Sequence, residues 1–204
     1  MEKKRNSQTI IIAVLAVAIL FMSVGFALFS TTLNINGTVQ VEKASWDIHW
    51  KEGSLTKTAN STVDILSGAT TGTGAEKTMT PGTTPTLTNT DITFGAVLTK
   101  PNDVAEFTVV AENAGTFDAK LTGITMSGLT AEQQKYLTYE IDYNGTKYTQ
   151  TTTGLNVSLP AKQSNTVTVK VTVKYNQPDN PTDLPSERQF VNLTASFDYE
   201  QVES

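Results

Sequence analysis

The chain has 204 residues, a formal net charge of -5 and no cysteine. With no basic patch and no aromatic–basic interleaving after residue 8, it lacks the footprint of a nucleic-acid binder. The missing cysteines exclude a disulfide framework and thiolate metal sites.

The chain opens with a short basic segment, residues 1–9, in which Lys3, Lys4 and Arg5 stand against Glu2. Residues 10–29, "IIIAVLAVAILFMSVGFALF", then carry no charge. As a helix rising 1.5 Å per residue this run reaches roughly 30 Å, the thickness of a bilayer core. The positive-inside rule puts the basic end in the cytoplasm and residues 31–204 outside. The lipid bilayer is thus the first expected partner, held through residues 10–29. Two fates stay open. A secretory apolar region is shorter, about 7–15 residues, so the length favours a retained anchor. Gly25 and Ala27 form the small-x-small pattern that a signal peptidase accepts, with cleavage before Leu28.

Beyond the run the period changes to two. Leu33, Ile35, Val39 and Val41 alternate with Asn34, Asn36, Thr38 and Gln40, which predicts a half-buried strand. "SWDIHW" repeats the pattern, with Trp46, Ile48 and Trp50 on one face and Asp47 and His49 on the other. Residues 67–90, rich in Thr and Gly, read as a flexible loop. Strands are expected at residues 91–99, 105–112, 120–126 and 155–159. In "FTVVAENAGTFDAKL", Asn113, Gly115 and Asp118 mark a turn, because Gly accepts positive φ and Asn or Asp bonds nearby backbone. "TAEQQKYL" predicts one short helix, capped by Thr130 with Gln133 completing a capping box.

"YLTYEIDY" then runs into Asn144-Gly145, two residues suited to a type I′ hairpin turn, with "TKYTQT" as the partner strand. "TVTVKVTVKY" places Val167, Val169, Val171, Val173 and Tyr175 on one face; "NLTASFDY" does the same with Leu193, Ala195, Phe197 and Tyr199. The proline-rich residues 176–188 form a second flexible loop. Many short alternating strands between Gly, Asn and Pro turns predict an all-β fold, an antiparallel Ig-like or jelly-roll-type β-sandwich, preceded by one transmembrane or signal helix.

Chemistry is sparse. His49 is the only histidine, so neither a zinc site nor a Ser–His arrangement has its parts. No D-x-D-x-D-G calcium loop and no phosphate loop occurs. Trp46 and Trp50 suggest a carbohydrate platform, but alternation with Ile48 is what a core-facing strand shows. "LPSER" departs from a wall-sorting signal at its last two positions. The residues therefore point to no enzyme, no cofactor and no metal.

Three stretches carry a family resemblance: "GFALFSTTLNINGTV", "SWDIHW" and "FTVVAENAGTFDAKL". Together they resemble the TasA/camelysin group of exported β-sandwich proteins of Gram-positive bacteria, closest to its uncharacterised single-anchor relatives. Leu28 and Thr31 depart from the fibre-forming members, which carry an aromatic and an acidic residue there. The resemblance implies a surface protein with a structural or adhesive role. Its partners would be copies of itself or other surface and biofilm-matrix proteins. Under the anchored reading, the strand at residues 33–41 pairs within its own domain. Under the processed reading, the released protein begins at Leu28. Leu33, Ile35, Val39 and Val41 then form a donor strand for a neighbouring subunit in an extracellular matrix fibre.

Overall fold

The computed structural model describes residues 11–19, 40, 43–73, 76–162 and 165–202. The chain divides into two units, Met1–Glu42 and Lys43–Ser204. In the first unit, residues 11–19 form a helix, α1, with exposed apolar side chains such as Ile12 and Leu15. Residue 10 and residues 20–29 of the expected span lie outside the described residues. So do the cleavage motif Gly25, Ala27, Leu28 and the strand residues Leu33, Ile35, Val39 and Val41. Among the described residues no helix is long and apolar enough to cross a membrane.

The second unit is built from antiparallel strands. In order along the sequence its elements are β1 (Ile48–Trp50), β2 (Thr56–Lys57), β3 (Thr70–Thr71), β4 (Thr78–Met79), β5 (Thr86–Leu87), β6 (Ile92–Thr93), β7 (Val104–Asn113) and β8 (Ala119–Met126). There follow α2 (Ala131–Tyr136), β9 (Leu137–Tyr143), β10 (Thr146–Tyr148), β11 (Thr152–Leu159), β12 (Thr166–Tyr175) and β13 (Ala195–Gln201). The main sheet runs β1-β7-β12-β9-β10, with β2 pairing the same side of β7 as β1. A second sheet runs β11-β8-β13.

Period-two patterning builds the core. Ala105, Phe107 and Val109 on β7 pack with Val167, Val169, Val171 and Val173 on β12 and with Tyr139, Ile141 and Tyr143 on β9. The second sheet contributes Ala119, Leu121, Ile124 and Leu159 to the same cluster. On β8 the buried positions shift from odd to even between Leu121 and Ile124. The pairing with β13 slips there, Asp198 facing Gly123 and Tyr199 facing Leu121. A bulge of this kind inserts one residue and re-aims all that follow.

Several expectations hold. α2 carries the foreseen capping box: Gln133 N–H donates to Thr130 Oγ1 at 3.2 Å, and Thr130 N–H donates to Gln133 Oε1 at 2.9 Å. Asn144 and Gly145 take φ of +53° and +85° in the β9–β10 turn. Other expectations need correction. Residues 67–90 are not simply a loop, since β3 pairs β4 there and β5 pairs β6. Threonines favour extended backbone, and Gly72 at φ +83° supplies a left-handed position between β3 and β4. Residues 176–188 include a 3-10 turn at Pro181–Asp183, capped by Asn180. The strand expected at residues 91–99 shrinks to Ile92–Thr93, followed by a single bridge between Leu66 and Gly95.

The turn at residues 113–118 departs in kind. β7 and β8 belong to different sheets, so it is a crossing and not a hairpin. Asn113 is fully buried (0% exposed) and supplies the bonds that make the crossing. Its Nδ2 donates to Phe117 O at 3.0 Å and to Leu159 O at 2.9 Å, while its Oδ1 accepts from Gly115 N–H at 3.0 Å. Asp118 Oδ1 accepts from Ala161 N–H at 2.7 Å, tying the crossing to the end of β11.

Gly115 is required by close approach. A Cβ there would lie 2.7 Å from Ser45 O and 2.9 Å from Asp47 N, both main-chain atoms. Gly115→Ala is expected to cost about 1–3 kcal/mol, the range for forcing atoms into a filled space. Gly128→Ala, which meets nothing within 4 Å, should stay within about 0.5 kcal/mol of the parent in the same urea titration. Equal midpoints for the two variants would contradict the clamp.

Candidate functional site

The most site-like feature is a groove of about 600 Å³ on the main sheet, along β13, with an apolar floor and polar residues such as Asn89 and Asp91 in its lining. Its floor is the inward face of β7, β12 and β9, including Phe107, Val109, Ile141 and Val171. One wall is Ile48 and Trp50 of β1 with Ile92 and Phe94; the other is Leu193, Ala195, Phe197 and Tyr199. All of these wall residues are only partly buried.

Local bonds hold each wall. Trp50 N–H donates to Asn89 O at 2.8 Å and Trp50 Nε1–H donates to Thr90 O at 3.1 Å, fixing β1 to the segment before β6. The Phe94 ring meets Phe107 edge-on at 4.8 Å. Trp50 and Phe197 meet edge-on across the groove at 5.4 Å, and Phe197 also lies 6.1 Å from Tyr143. Edge-on aromatic contacts suit the ring quadrupole and position both sides without closing the space.

β13 pairs with β8 on one side and, among the described residues, with no strand on the other. It presents alternating apolar residues to the groove, and a strand edge with unpaired main-chain groups is a template for another strand. The sequence foresaw the face of this strand from "NLTASFDY". It carried no sign that the strand ends a sheet, because edge position is a property of topology.

Tyr139 and Tyr199 line the groove, and Tyr143 lies in the core beside it. Tyr143 and Tyr199 hydroxyls lie 3.1 Å apart, one from each sheet. Burial pushes both phenols up, Tyr199 further by its closeness to Tyr143. Burial alone pushes Tyr139 up to about 12. These groups keep their protons at neutral pH and offer no general base.

At the rim, His49 Nδ1 and Asp47 Oδ1 are 2.9 Å apart. Trp46 is 46% exposed and stands outside β1, so the three-residue face Trp46, Ile48, Trp50 does not form as one strand. Past the end of β1 the same register continues, with Ala114 N–H donating to Asp47 O and Thr116 N–H donating to Ser45 O. Both tryptophans line the groove, Trp50 bonded to Thr90 O and in ring contact with Phe197, and Trp46 exposed to solvent.

On the opposite face of the main sheet, carboxylates that look scattered along the sequence gather into a charge cluster. Glu106 is 7% exposed, yet it is held ionised. Burial would raise its pKa, but the hydroxyls of Thr58 (2.6 Å) and Thr172 (3.1 Å), the Asn60 amide (3.2 Å) and nearby Lys170 together lower it. Lys170 lies 3.9 Å from both Glu106 Oε2 and Asp142 Oδ2. With both carboxylate oxygens engaged, Glu106 acts as a cross-strand tie. Among the described residues no three His, Cys, Asp or Glu side chains are placed to hold a metal ion.

Asn113, Gly115 and Asp118 thus come together as a structural crossing, and Asn144 with Gly145 as a separate hairpin turn. No protein-family model matches the sequence, and no curated protein matches it.

Because the folded phenols titrate above their unfolded value near 10, their contribution to stability is complete below about pH 10. It is lost as pH rises through the folded values. Unfolding above pH ~10 should accompany phenolate absorbance at 295 nm as one transition. Tyr139→Phe should move that transition to higher pH; an unchanged midpoint would contradict the burial of this phenol.

Proposed function

We propose that the protein is a membrane-anchored, extracytoplasmic surface protein with a structural or adhesive role and no enzymatic activity. The observation that carries this reading is the charge-free run at residues 10–29 behind Lys3, Lys4 and Arg5. The second unit supports it through its chemistry: phenols held protonated, a satisfied carboxylate at Glu106, and a groove with an apolar floor. The domain belongs, on this reading, to the Ig-like or jelly-roll sandwiches, and the protein to relatives of the TasA/camelysin group. Its first partner is the bilayer.

A second reading is favoured by one specific observation, the groove beside the β13 edge that no strand pairs among the described residues. In it the protein is cleaved after Ala27, and residues 33–41 of one copy add to β13 of the next. Leu33, Ile35, Val39 and Val41 would enter the groove while main-chain bonds complete the sheet. The nine residues of the donor segment reach about 30 Å, enough to run the full length of β13, whose seven residues reach about 23 Å. The product would be a secreted matrix subunit.

Intact mass in membrane and released fractions separates the two readings. The anchored reading expects the full-length protein in membranes alone; a released form beginning at Leu28 would overturn it and support processing. Strand addition has its own test, made simple by the absence of cysteine. Copies carrying Asn36→Cys are mixed with differently tagged copies carrying Ser196→Cys. Strand donation expects an oxidised heterodimer between the two; its absence under conditions that oxidise a control pair would contradict it.

A further inference from the structure

The β9–β10 turn holds a reactive pair that neither reading of function uses. Asn144 is exposed at φ +53°, and Gly145 follows at φ +85° with open space around its Cα. An asparagine followed by glycine is the pair best suited to self-modification, because no side chain shields the glycine nitrogen. The deprotonated Gly145 nitrogen attacks Asn144 Cγ, the Cγ–Nδ2 bond of Asn144 breaks, and ammonia leaves. Water then opens the resulting five-membered imide to aspartate or isoaspartate.

Here the nucleophile is occupied. Gly145 N–H donates to Asp142 Oδ1 at 2.7 Å. The other oxygen of that carboxylate faces Lys170 Nζ at 3.9 Å across the β9–β12 register. A carboxylate bonded to an N–H stabilises the protonated nitrogen and repels the anion that must form before attack. Asn144 is held too, its N–H donating to Thr168 O at 3.2 Å.

We propose that Asn144 is a latent self-modification site whose rate is set by the Gly145–Asp142 hydrogen bond. Conversion to isoaspartate would add a methylene to the backbone inside a two-residue turn. The pairs Thr146–Tyr143, Lys147–Asp142 and Tyr148–Ile141 would lose register. Tyr148, 9% exposed, would leave the core, and β9 would become the edge of the main sheet. Asp142 is thus a positioning residue that keeps β10 docked over the lifetime of the protein.

The test ages the full-length protein at mildly alkaline pH and follows Asn144 by peptide mapping of the amide-to-acid mass gain. Asn36-Gly37, in the same digest, serves as an internal reference. Asp142→Ala should speed conversion at Asn144 by about tenfold or more, the ratio expected for a charge-assisted hydrogen bond, and leave Asn36 unchanged. Asp142→Asn keeps a neutral acceptor and should fall between Asp142→Ala and the parent. Glu140→Gln removes the neighbouring 2.8 Å pair with Lys147 but not the Gly145 contact, and should match the parent. If Asp142→Ala does not fold, Asp142→Asn against Glu140→Gln carries the comparison. Equal rates for the Asp142 variants and the parent, or an equal acceleration in Glu140→Gln, would overturn the proposal.

Discussion

Asn113 is the residue on which the arrangement of the second unit depends. It sits where the backbone leaves the main sheet for the smaller one, and it is sealed from solvent. Its amide donates to two carbonyls, one in the crossing and one at the end of β11, and its oxygen accepts from Gly115. Removing such a group leaves buried partners unpaired, at a cost of about 1–3 kcal/mol for each. Gly115, held by that bond, lets the crossing press against Ser45 and Asp47. This contact fixes the lead into β1, and β1 is one wall of the groove. One buried amide therefore links sheet crossing, strand placement and groove.

The groove follows from unequal sheets. Among the described residues the main sheet has six strands and the second has three, so β13 cannot cover all of the apolar face opposite it. Phe197 and Trp50 bridge the gap by a ring contact, not by a strand. The remaining apolar surface is lined by half-buried side chains. Burial of such surface is favourable at about 25 cal/mol per Å², which is why an alternating segment would be drawn to it. The opposite face of the main sheet shows the contrasting solution. There Glu106, Lys170 and Asp142 tie three strands together by charge and hydrogen bonds.

Much of the local structure was legible from residues alone. Period two located β7, β9 and β12. Thr130 with Gln133 announced α2, and Asn144-Gly145 announced the β9–β10 turn. Each of these signals acts over a few neighbouring residues. What the sequence hid lies between distant residues. "FTVVAENAGTFDAKL" reads as a turn between two strands, and only the pairing of β7 and β8 with different partners makes it a crossing between sheets. The bulge on β8 is set by its pairing with β13. Glu106 looked like one of many scattered carboxylates until Thr58, Asn60 and Thr172 converged on it. Trp46 followed the alternation of Ile48 and Trp50 yet stands exposed outside β1.

The central structural claim is that the outer edge of β13, which pairs with no strand among the described residues, is free to take another strand. Amide hydrogen exchange across Ala195–Gln201, followed over a range of protein concentrations, tests it most directly. The account predicts that those β13 amides not bonded to β8 exchange much faster than the amides of β7 and β12 in dilute protein. They should become protected as concentration rises or as assembled material is collected. Protection equal to that of β7 at every concentration would mean that the edge is already paired, and would contradict the claim.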